Sequence, residues 1–533
     1  MAAATDRNVA ARDAITDAVL TAQLEPLWFT REVLRNVDTA GAPLNDPWQD
    51  ELLEAFQDLW RAEQGLPTRV NHELKRRFTI RSGHGPGKTI LLAQIAHYAG
   101  FTRRTQIICI APKEKQILTR LFPRFRSLYI SAIAEYQRLI SIDATKITWC
   151  QDPNWVMMPE VARDPTALAG YHPNGPDDWL IIIVDEASGV REDFWPVILG
   201  MLSRPHTALF MIGNPTSTRN EFYRSHTDSK AAALYYRRHV RLEESRYQDK
   251  KWAEELRGTY GADSPVYKVR VLGEFSPDSE NQLVALAWLD SAREREIVVD
   301  GSVPRLRVSI DVADGGANET VITVSRIYDT QVRFMKQHRF SFAAAESPIE
   351  AAQAAVRIFT EWGGDKQQDS FVVDALGVGA GTAGYLIKQE YPVIAYRGGE
   401  QADDPLQWRN RRVQSYIVMR NGLRDGWISF DEEFAATEHD WDAFCAQMCA
   451  IQLRHGTGKV DDIETKADML KRGVVSPDMA DSAVIALSTQ VPRFGGAGQK
   501  LSGALFGERV VQSDVAVVED GVLQLMESAG DNW

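Results

Sequence analysis

At 533 residues the chain is too long for a single hydrophobic core, and two or three domains are expected. Its composition is that of a globular protein, 44% hydrophobic and 25% charged. No apolar run reaches the ~18 residues of a spanning helix, and Met1–Arg7 lacks a signal-peptide apolar core, so a cytoplasmic protein without a membrane partner is expected. The net charge of −13 excludes a protein coated in nucleic acid, though not one with a local basic track. Four cysteines fit a reducing compartment; Cys445 and Cys449, one helical turn apart without a His or Cys neighbour, read as buried small hydrophobes rather than zinc ligands.

Residues 1–45 alternate amphipathic helical pattern with loop, and Asn45–Asp50 caps a helix through Leu52, Leu53 and Phe56. Trp48 and Gln49 at its start could stack on an adenine ring and read its edge; a core Trp beside a surface Gln is the alternative. A short strand, Arg77–Ile80, then runs into Arg81-Ser82-Gly83-His84-Gly85-Pro86-Gly87-Lys88-Thr89 and an apolar helix from Ile90. Strand, glycine loop and helix form a phosphate cradle. The backbone of Ser82 to Gly87 turns N–H groups inward, Lys88 reaches the outer phosphates, and the Thr89 hydroxyl can ligate Mg²⁺. The usual first glycine is displaced by one position, Ser82 standing before Gly83. This segment is read as a nucleoside triphosphate site with Mg²⁺.

Gln106–Pro112 reads as a buried parallel strand, Lys113–Arg126 as a basic helix, and residues 144–180 as short strands and loops. Trp179–Val184 is a central strand delivering Asp185 and Glu186 at its C-terminal edge, where ligands sit in open α/β sheets. Asp185 would hold Mg²⁺ and Glu186 would orient or deprotonate the attacking water. The pair gains weight from lying 97 positions (185 − 88) after Lys88. A third strand, Ala208–Ile212, leads to Asn214, which reads as a γ-phosphate sensor or as part of an Asn-Pro turn. Arg81, Arg219, Arg237 and Arg238 are candidate arginine fingers.

Turn chemistry near Gly273–Ser279 and a helix at Ala287–Arg295 precede a new domain near Pro304. The expected division is 1–275, a P-loop domain with an N-terminal helical lid region; 276–303, a linker; 304–492, a second α/β domain; and 493–533, a flexible acidic tail suited to docking a partner. In the second domain Arg307–Asp311 and Thr320–Val324 form a hairpin around Asp314-Gly315-Gly316. Ser370–Asp374 ends in a second carboxylate before a flexible Gly377–Gly381, and Ser476–Asp481 opens a helix with Asp478 and Asp481 on one face. Gathering Asp311, Asp374, Asp478 and Asp481 would be costly without a cation. Two Mg²⁺ or Mn²⁺ ions would suit them and would cleave a phosphodiester. Taken singly, each reads as a turn residue or helix cap.

With both sites in hand, residues from about 25 to 490 resemble the large terminase subunit of tailed bacteriophages. Arg81–Thr89, Asp185–Val190 and Gly213-Asn214-Pro215 match its motor half. Pro47-Trp48-Gln49 resembles its adenine segment. Asp311, Asp374, Glu464–Gly473 and Ser476–Ser482 resemble its RNase H-like nuclease half. The resemblance implies an N-terminal P-loop NTPase domain with a mostly parallel sheet, followed by an RNase H-like α/β nuclease domain. It implies a DNA-packaging ATPase and endonuclease acting on double-stranded DNA, with a portal protein and a small terminase subunit as partners. It further implies a homo-oligomeric ring, a pentamer on the portal, in the cytoplasm of an infected bacterial host. The competing readings are an ATP-dependent helicase or repair nuclease, and a DNA-binding scaffold with inactive sites.

Overall fold

The computed structural model describes residues 17–488 except 18, 70–72, 162–164, 169, 248, 277–280, 297–300, 314–318, 344–346 and 455–460. The expected acidic tail and the Asp314-Gly315-Gly316 turn lie outside the described residues.

The first half is built on an eight-stranded sheet in the order β3-β4-β5-β2-β6-β7-β1-β8. Its strands are β1 (Arg77–Ser82), β2 (Thr105–Ala111), β3 (Ile140–Ile142), β4 (Ile147–Trp149), β5 (Val156–Val161), β6 (Trp179–Val184), β7 (Thr207–Gly213) and β8 (Tyr236–Val240). Every residue of β6 and β7 is buried, which is why both read as unbroken apolar runs. The six strands from β5 to β8 pair in parallel, and only the β3-β4-β5 flap is antiparallel. Because β7 lies between β1 and β6, the end of β7 falls between the glycine loop and the two carboxylates.

Helix α1 (Pro47–Glu63) opens with Pro at its first position, and the Asp46 N–H donates to Gln49 Oε1 at 2.8 Å. Helix α2 (Lys88–Thr102) follows the glycine loop and is buried nearly all round. The core between them is aromatic: Phe78 stacks on Phe210 at 4.6 Å, and Phe56 meets Phe210 edge-on at 5.0 Å. The basic segment expected as one helix is divided. A short turn (Glu114–Gln116) passes into a π-helical turn, Ile117–Leu121, before α3 (Phe122–Ser131).

The second sheet has the order β13-β12-β9-β10-β11-β14. Its strands are β9 (Arg305–Asp311), β10 (Thr320–Ile327), β11 (Val332–Phe340), β12 (Ser370–Asp374), β13 (Val393–Tyr396) and β14 (Ile428–Phe430). An antiparallel β9–β10–β11 meander is followed by β12 and β13, parallel to β9 on its other side. This is the RNase H-like arrangement, with β14 added at one edge. The helices that position its site are α4 (Leu286–Arg293), α5 (Gly379–Lys388), α6 (Arg411–Asp425), α7 (Glu438–Ala450), α8 (Lys466–Lys471) and α9 (Asp478–Ile485).

Two expectations are corrected. The segment read as a linker carries α4, whose Leu286, Leu289 and Ala292 pack into the second core with Val266 and Val269, so it is a wall rather than a tether. Gly377–Gly381, read as flexible, runs into the first turn of α5; a side chain at Gly379 would strike the Asp374 carbonyl, so glycine there lets the helix start against the strand end. Cys445 and Cys449 are buried, as read. Among the described residues no helix is long and apolar enough to cross a membrane.

Gly100 in α2 lies against Trp149, and an added Cβ would overlap the indole ring. Alanine gains about 1 kcal/mol of helix propensity over glycine. Trp149 is 1% exposed and packed edge-on to Phe125, so it has nowhere to go. Gly100→Ala should therefore lose about 1–3 kcal/mol in denaturant unfolding; an unchanged midpoint would show that the ring can move aside.

Candidate nucleotide and acidic sites

A cleft of about 1390 Å³ opens at the C-terminal ends of the first sheet's strands. Gln49, Gly87, Thr89, Glu186, Asn214 and Arg293 are among the residues lining it. Gly85 and Gly87 adopt left-handed backbone (φ 75° and 89°), which a side-chained residue would adopt only at a cost. The displaced first glycine has a local reason: a Cβ on Gly83 would strike the Arg270 carbonyl oxygen, the same atom that accepts the His84 N–H at 2.7 Å. Ser82 is fully buried at the strand end and donates its hydroxyl to the Gly83 carbonyl.

Lys88 is buried with its ammonium donating to Gly83 O at 2.8 Å, to Ser82 Oγ at 3.2 Å and to Asn214 Oδ1. Burial pulls its pKa down, opposed by Glu186 and Asp185. Asp185 accepts the Glu186 N–H at 3.0 Å. Burial, with Glu186 beside it, pushes the Asp185 carboxyl up to about 7. Thr89 and Glu186 line the cleft, and Asp185 stands next to Glu186 at the strand end; carboxylate and hydroxyl oxygens are donors that suit a divalent cation. Glu186 has left-handed backbone (φ 49°) at the edge of β6, and its Oε1 lies 3.7 Å from Arg120 Nη1.

Three sequence expectations change here. Trp48 is 1% exposed in the aromatic core and does not line the cleft; it occupies the inner face of α1. Gln49 does line it, but its carbonyl accepts from Asp46 N–H and its amide donates to Gly87 O at 3.0 Å, so both ends already serve the fold. Arg81 is not in the cleft. It pairs in register with His239 of β8 and lies over the Phe275 ring, 5.3 Å from its centroid. Of the other proposed fingers, Arg219 lines the cleft. Arg238 on β8 pairs with Glu51 and Glu244, and Arg237 on the same edge strand donates to the His226 carbonyl at 3.5 Å.

Residues after 275 contribute to the same cleft, among them Asp290, Arg293, Glu294 and Glu438. Arg270 is buried between Asp290 of α4 and Asp442 of α7, 3.1 Å from the latter. Burial works against its charge, but the two carboxylates outweigh it and hold the guanidinium protonated. Arg293 donates to both carboxylate oxygens of Glu438, at 2.7 and 2.6 Å, while Gln116 donates to Glu294 at 2.7 Å. No motif marked these residues in advance; their spacing has meaning only once the halves are packed.

The acidic residues do converge. In the β9–β12 register Ile310 is paired with Val373, which sets Asp311 and Asp374 side by side at the strand ends. Helix α9 lies across β9 and β10, fixed by Ser309 Oγ donating to Ser482 O at 2.7 Å. Its N-terminus is capped by Gln447 Oε1, which accepts from Met479 N–H at 2.8 Å and Ala480 N–H at 3.2 Å. Asp311 is pushed well above the usual carboxylate range by burial, then by Asp481, Asp478 and Asp374, with Lys466 opposing. Burial likewise raises Asp374 and Asp478.

Asp481 accepts from Tyr416 Oη at 2.5 Å through one oxygen, and its other oxygen forms an ion pair with Lys466 Nζ at 2.7 Å. Lys466, in α8, lies in the Glu464–Gly473 segment that carries the resemblance, where no individual role was read for it. Burial works against its charge, and Asp481 and Asp311 keep it protonated. Among the described residues no three carboxylate, imidazole or thiol groups stand close enough to enclose an ion as they are. Lys466 supplies the positive charge instead. The carboxyls pushed upward are nonetheless a donor set suited to divalent cations.

No protein-family model matches the sequence. Over 468 residues, 84% of this chain and 88% of the relative, it is 24% identical to the "Probable terminase, large subunit" of Enterobacteria phage P7. The chain is similar to a phage terminase large subunit. Among solved structures, the large terminase of the thermophilic bacteriophage D6E in complex with ADP is 12% identical, covering 83% of this chain and 99% of that one with a TM-score of 0.37. The nuclease domain of the large terminase subunit of bacterial virus Sf6 is 17% identical, covering 38% and 97%, with a TM-score of 0.30.

An acid whose folded pKa lies above its unfolded value stabilises the fold while protonated. That contribution is lost as pH rises from about 4 through about 7 for Asp185. Asp185→Asn, which stays neutral, should gain in melting temperature relative to wild type between pH 5 and pH 8 in cation-free buffer. A difference that does not move with pH would rule out this burial effect.

Proposed function

We propose that this chain is the ATP-driven motor and nuclease of a phage DNA-packaging machine, acting on double-stranded DNA. The observation that supports it is the pairing of two chemically different centres in one chain. One is a buried lysine, glycine loop and Asp185-Glu186 edge facing a large cleft. The other is four aspartates gathered around Lys466 at the edge of an RNase H-like sheet. The similarity to the phage P7 protein, which runs across both halves, agrees with this.

In the motor half, Lys88 and the loop backbone from Gly83 to Gly87 would hold the β- and γ-phosphates of ATP. Asn214, already bonded to Lys88, would exchange that bond for one to the γ-phosphate. Glu186 would orient the attacking water and accept its proton. Thr89 and Asp185 would hold Mg²⁺, which when bound supplies charge neutralisation at the phosphates. In the nuclease half, Asp311, Asp374, Asp478 and Asp481 would hold Mg²⁺ or Mn²⁺, which when bound supplies an activated water and stabilises the leaving oxygen. Lys466 would neutralise the acidic cluster between turnovers, keeping four carboxylates together at lower cost. Residues 1–275 and 304–492 are assigned to the two activities, with 493–533 as a docking tail. A portal protein, a small terminase subunit and a homo-oligomeric, pentameric ring complete the assembly in the host cytoplasm.

The reading is tested by measuring ATPase and plasmid cleavage on wild type, Glu186→Ala and Asp311→Ala. Glu186→Ala should lower ATP hydrolysis by about 10²–10⁴-fold and leave metal-dependent cleavage near wild type. Asp311→Ala should do the reverse. Cleavage lost in both variants, or in neither, would rule out two independent centres.

A further inference from the structure

The cleft is rich in arginine, and most of the guanidiniums with described partners are committed to structural contacts. Arg270 is held by Asp290 and Asp442, Arg293 is held bidentately by Glu438, Arg191 pairs with Asp193, and Arg295 donates to the Ile428 carbonyl. Arg120 differs. It is the cleft arginine that pairs with Glu186 among the described residues, and the contact is loose: 3.7 Å, beyond hydrogen-bond range, between side chains 48% and 34% exposed. An exposed pair at that distance contributes little to stability and is readily exchanged for a stronger anion.

The local fold presents this side chain to the cleft. Ile117 and Leu121 are buried at 1% and 0%, anchoring the π-helical turn that carries Arg120 between them. Such turns cost hydrogen-bond regularity and recur at functional sites. From there the Arg120 charge acts on the groups that flank the phosphates. It is among the cations that disfavour the Lys88 ammonium and favour the Asp185 carboxylate. The same segment is tied to the second half through Gln116 to Glu294 and through Lys115 to Glu432 at 2.6 Å.

We propose that Arg120 is a catalytic arginine of the nucleotide site: it holds Glu186 while the cleft is empty, then releases it to donate its N–H fork to the γ-phosphoryl oxygens of a bound nucleoside triphosphate. This rests on the ATPase reading above. In the step it assists, the water oxygen bonds to the γ-phosphorus. The bond from that phosphorus to the β–γ bridging oxygen breaks, and its electron pair stays on the diphosphate. Glu186 takes the proton from the water. Arg120 keeps its own proton and offsets charge on the equatorial oxygens, which a planar fork does better than a point charge.

The test is steady-state ATPase kinetics on the full-length chain, for wild type, Arg120→Ala and Arg120→Lys. Circular dichroism and metal-dependent plasmid cleavage report on folding. Arg120→Ala should lower kcat by about 10³-fold or more, in the range removed with an arginine finger, while KM moves less than about threefold. Arg120→Lys keeps the charge and could still pair with Glu186, but it lacks the fork and should remain at least about tenfold below wild type in kcat. Full rescue of kcat by Arg120→Lys, a loss expressed only in KM, or Arg120→Ala within about threefold of wild type would each overturn the assignment. A wild-type chain that hydrolyses no ATP would overturn the ATPase reading itself; an active wild type with an active Arg120→Ala overturns this proposal alone.

Discussion

A charged ammonium sealed from solvent needs strong partners, and the first half of the molecule is arranged to give Lys88 three of them. The Gly83 carbonyl and Ser82 hydroxyl come from the end of β1, and the Asn214 amide oxygen comes from the end of β7. Those contacts exist only because β7 is inserted between β1 and β6. The same insertion spaces Asp185 and Glu186 away from the lysine far enough to leave a cleft, yet near enough to oppose its loss of charge. Protein oxygens thus satisfy the ammonium. On the function proposed above, binding an anion there would be an exchange of partners rather than the burial of a new charge.

A second buried cation joins this arrangement to the rest of the chain. The Arg270 carbonyl accepts from the glycine loop, while its guanidinium is enclosed by carboxylates of α4 and α7. Helix α7 in turn supplies Gln447, which caps the helix bearing Asp478 and Asp481. Helix α7 therefore touches both regions, pairing with Arg270 behind the cleft through Asp442 and capping the helix of the acidic cluster through Gln447. Removing one partner of a buried ionic contact of this kind costs about 3–5 kcal/mol.

What was legible beforehand follows from range. The roles proposed for Gly85, Gly87, Lys88 and Thr89 depend on backbone geometry and reach set within one loop, so their spacing could be read directly. The aspartates at 311, 374 and 478/481 were visible because each ends a strand or starts a helix, and such ends meet at one edge of an α/β sheet. Trp48 and Arg81 were misread for the opposite reason. Which side of a helix or strand faces a ligand depends on what packs on the other side, here the aromatic core and β8. Lys466 and Arg120 lay in segments that were singled out, Glu464–Gly473 and the basic run Lys113–Arg126, but neither was marked individually, because its partner is set by packing rather than by local spacing.

Local chemistry alone, then, determined the strand–glycine loop–helix unit, the apolar central strands and the acidic strand ends, since these depend on backbone conformation and hydrophobic runs a few residues long. Tertiary packing decided the rest: which arginines enter the cleft, that residues 286–293 form a wall instead of a tether, and that a lysine sits among four aspartates. The physical reason is that charge pairing and burial are properties of neighbours in space, and along this chain those neighbours are drawn from segments that sequence spacing does not connect.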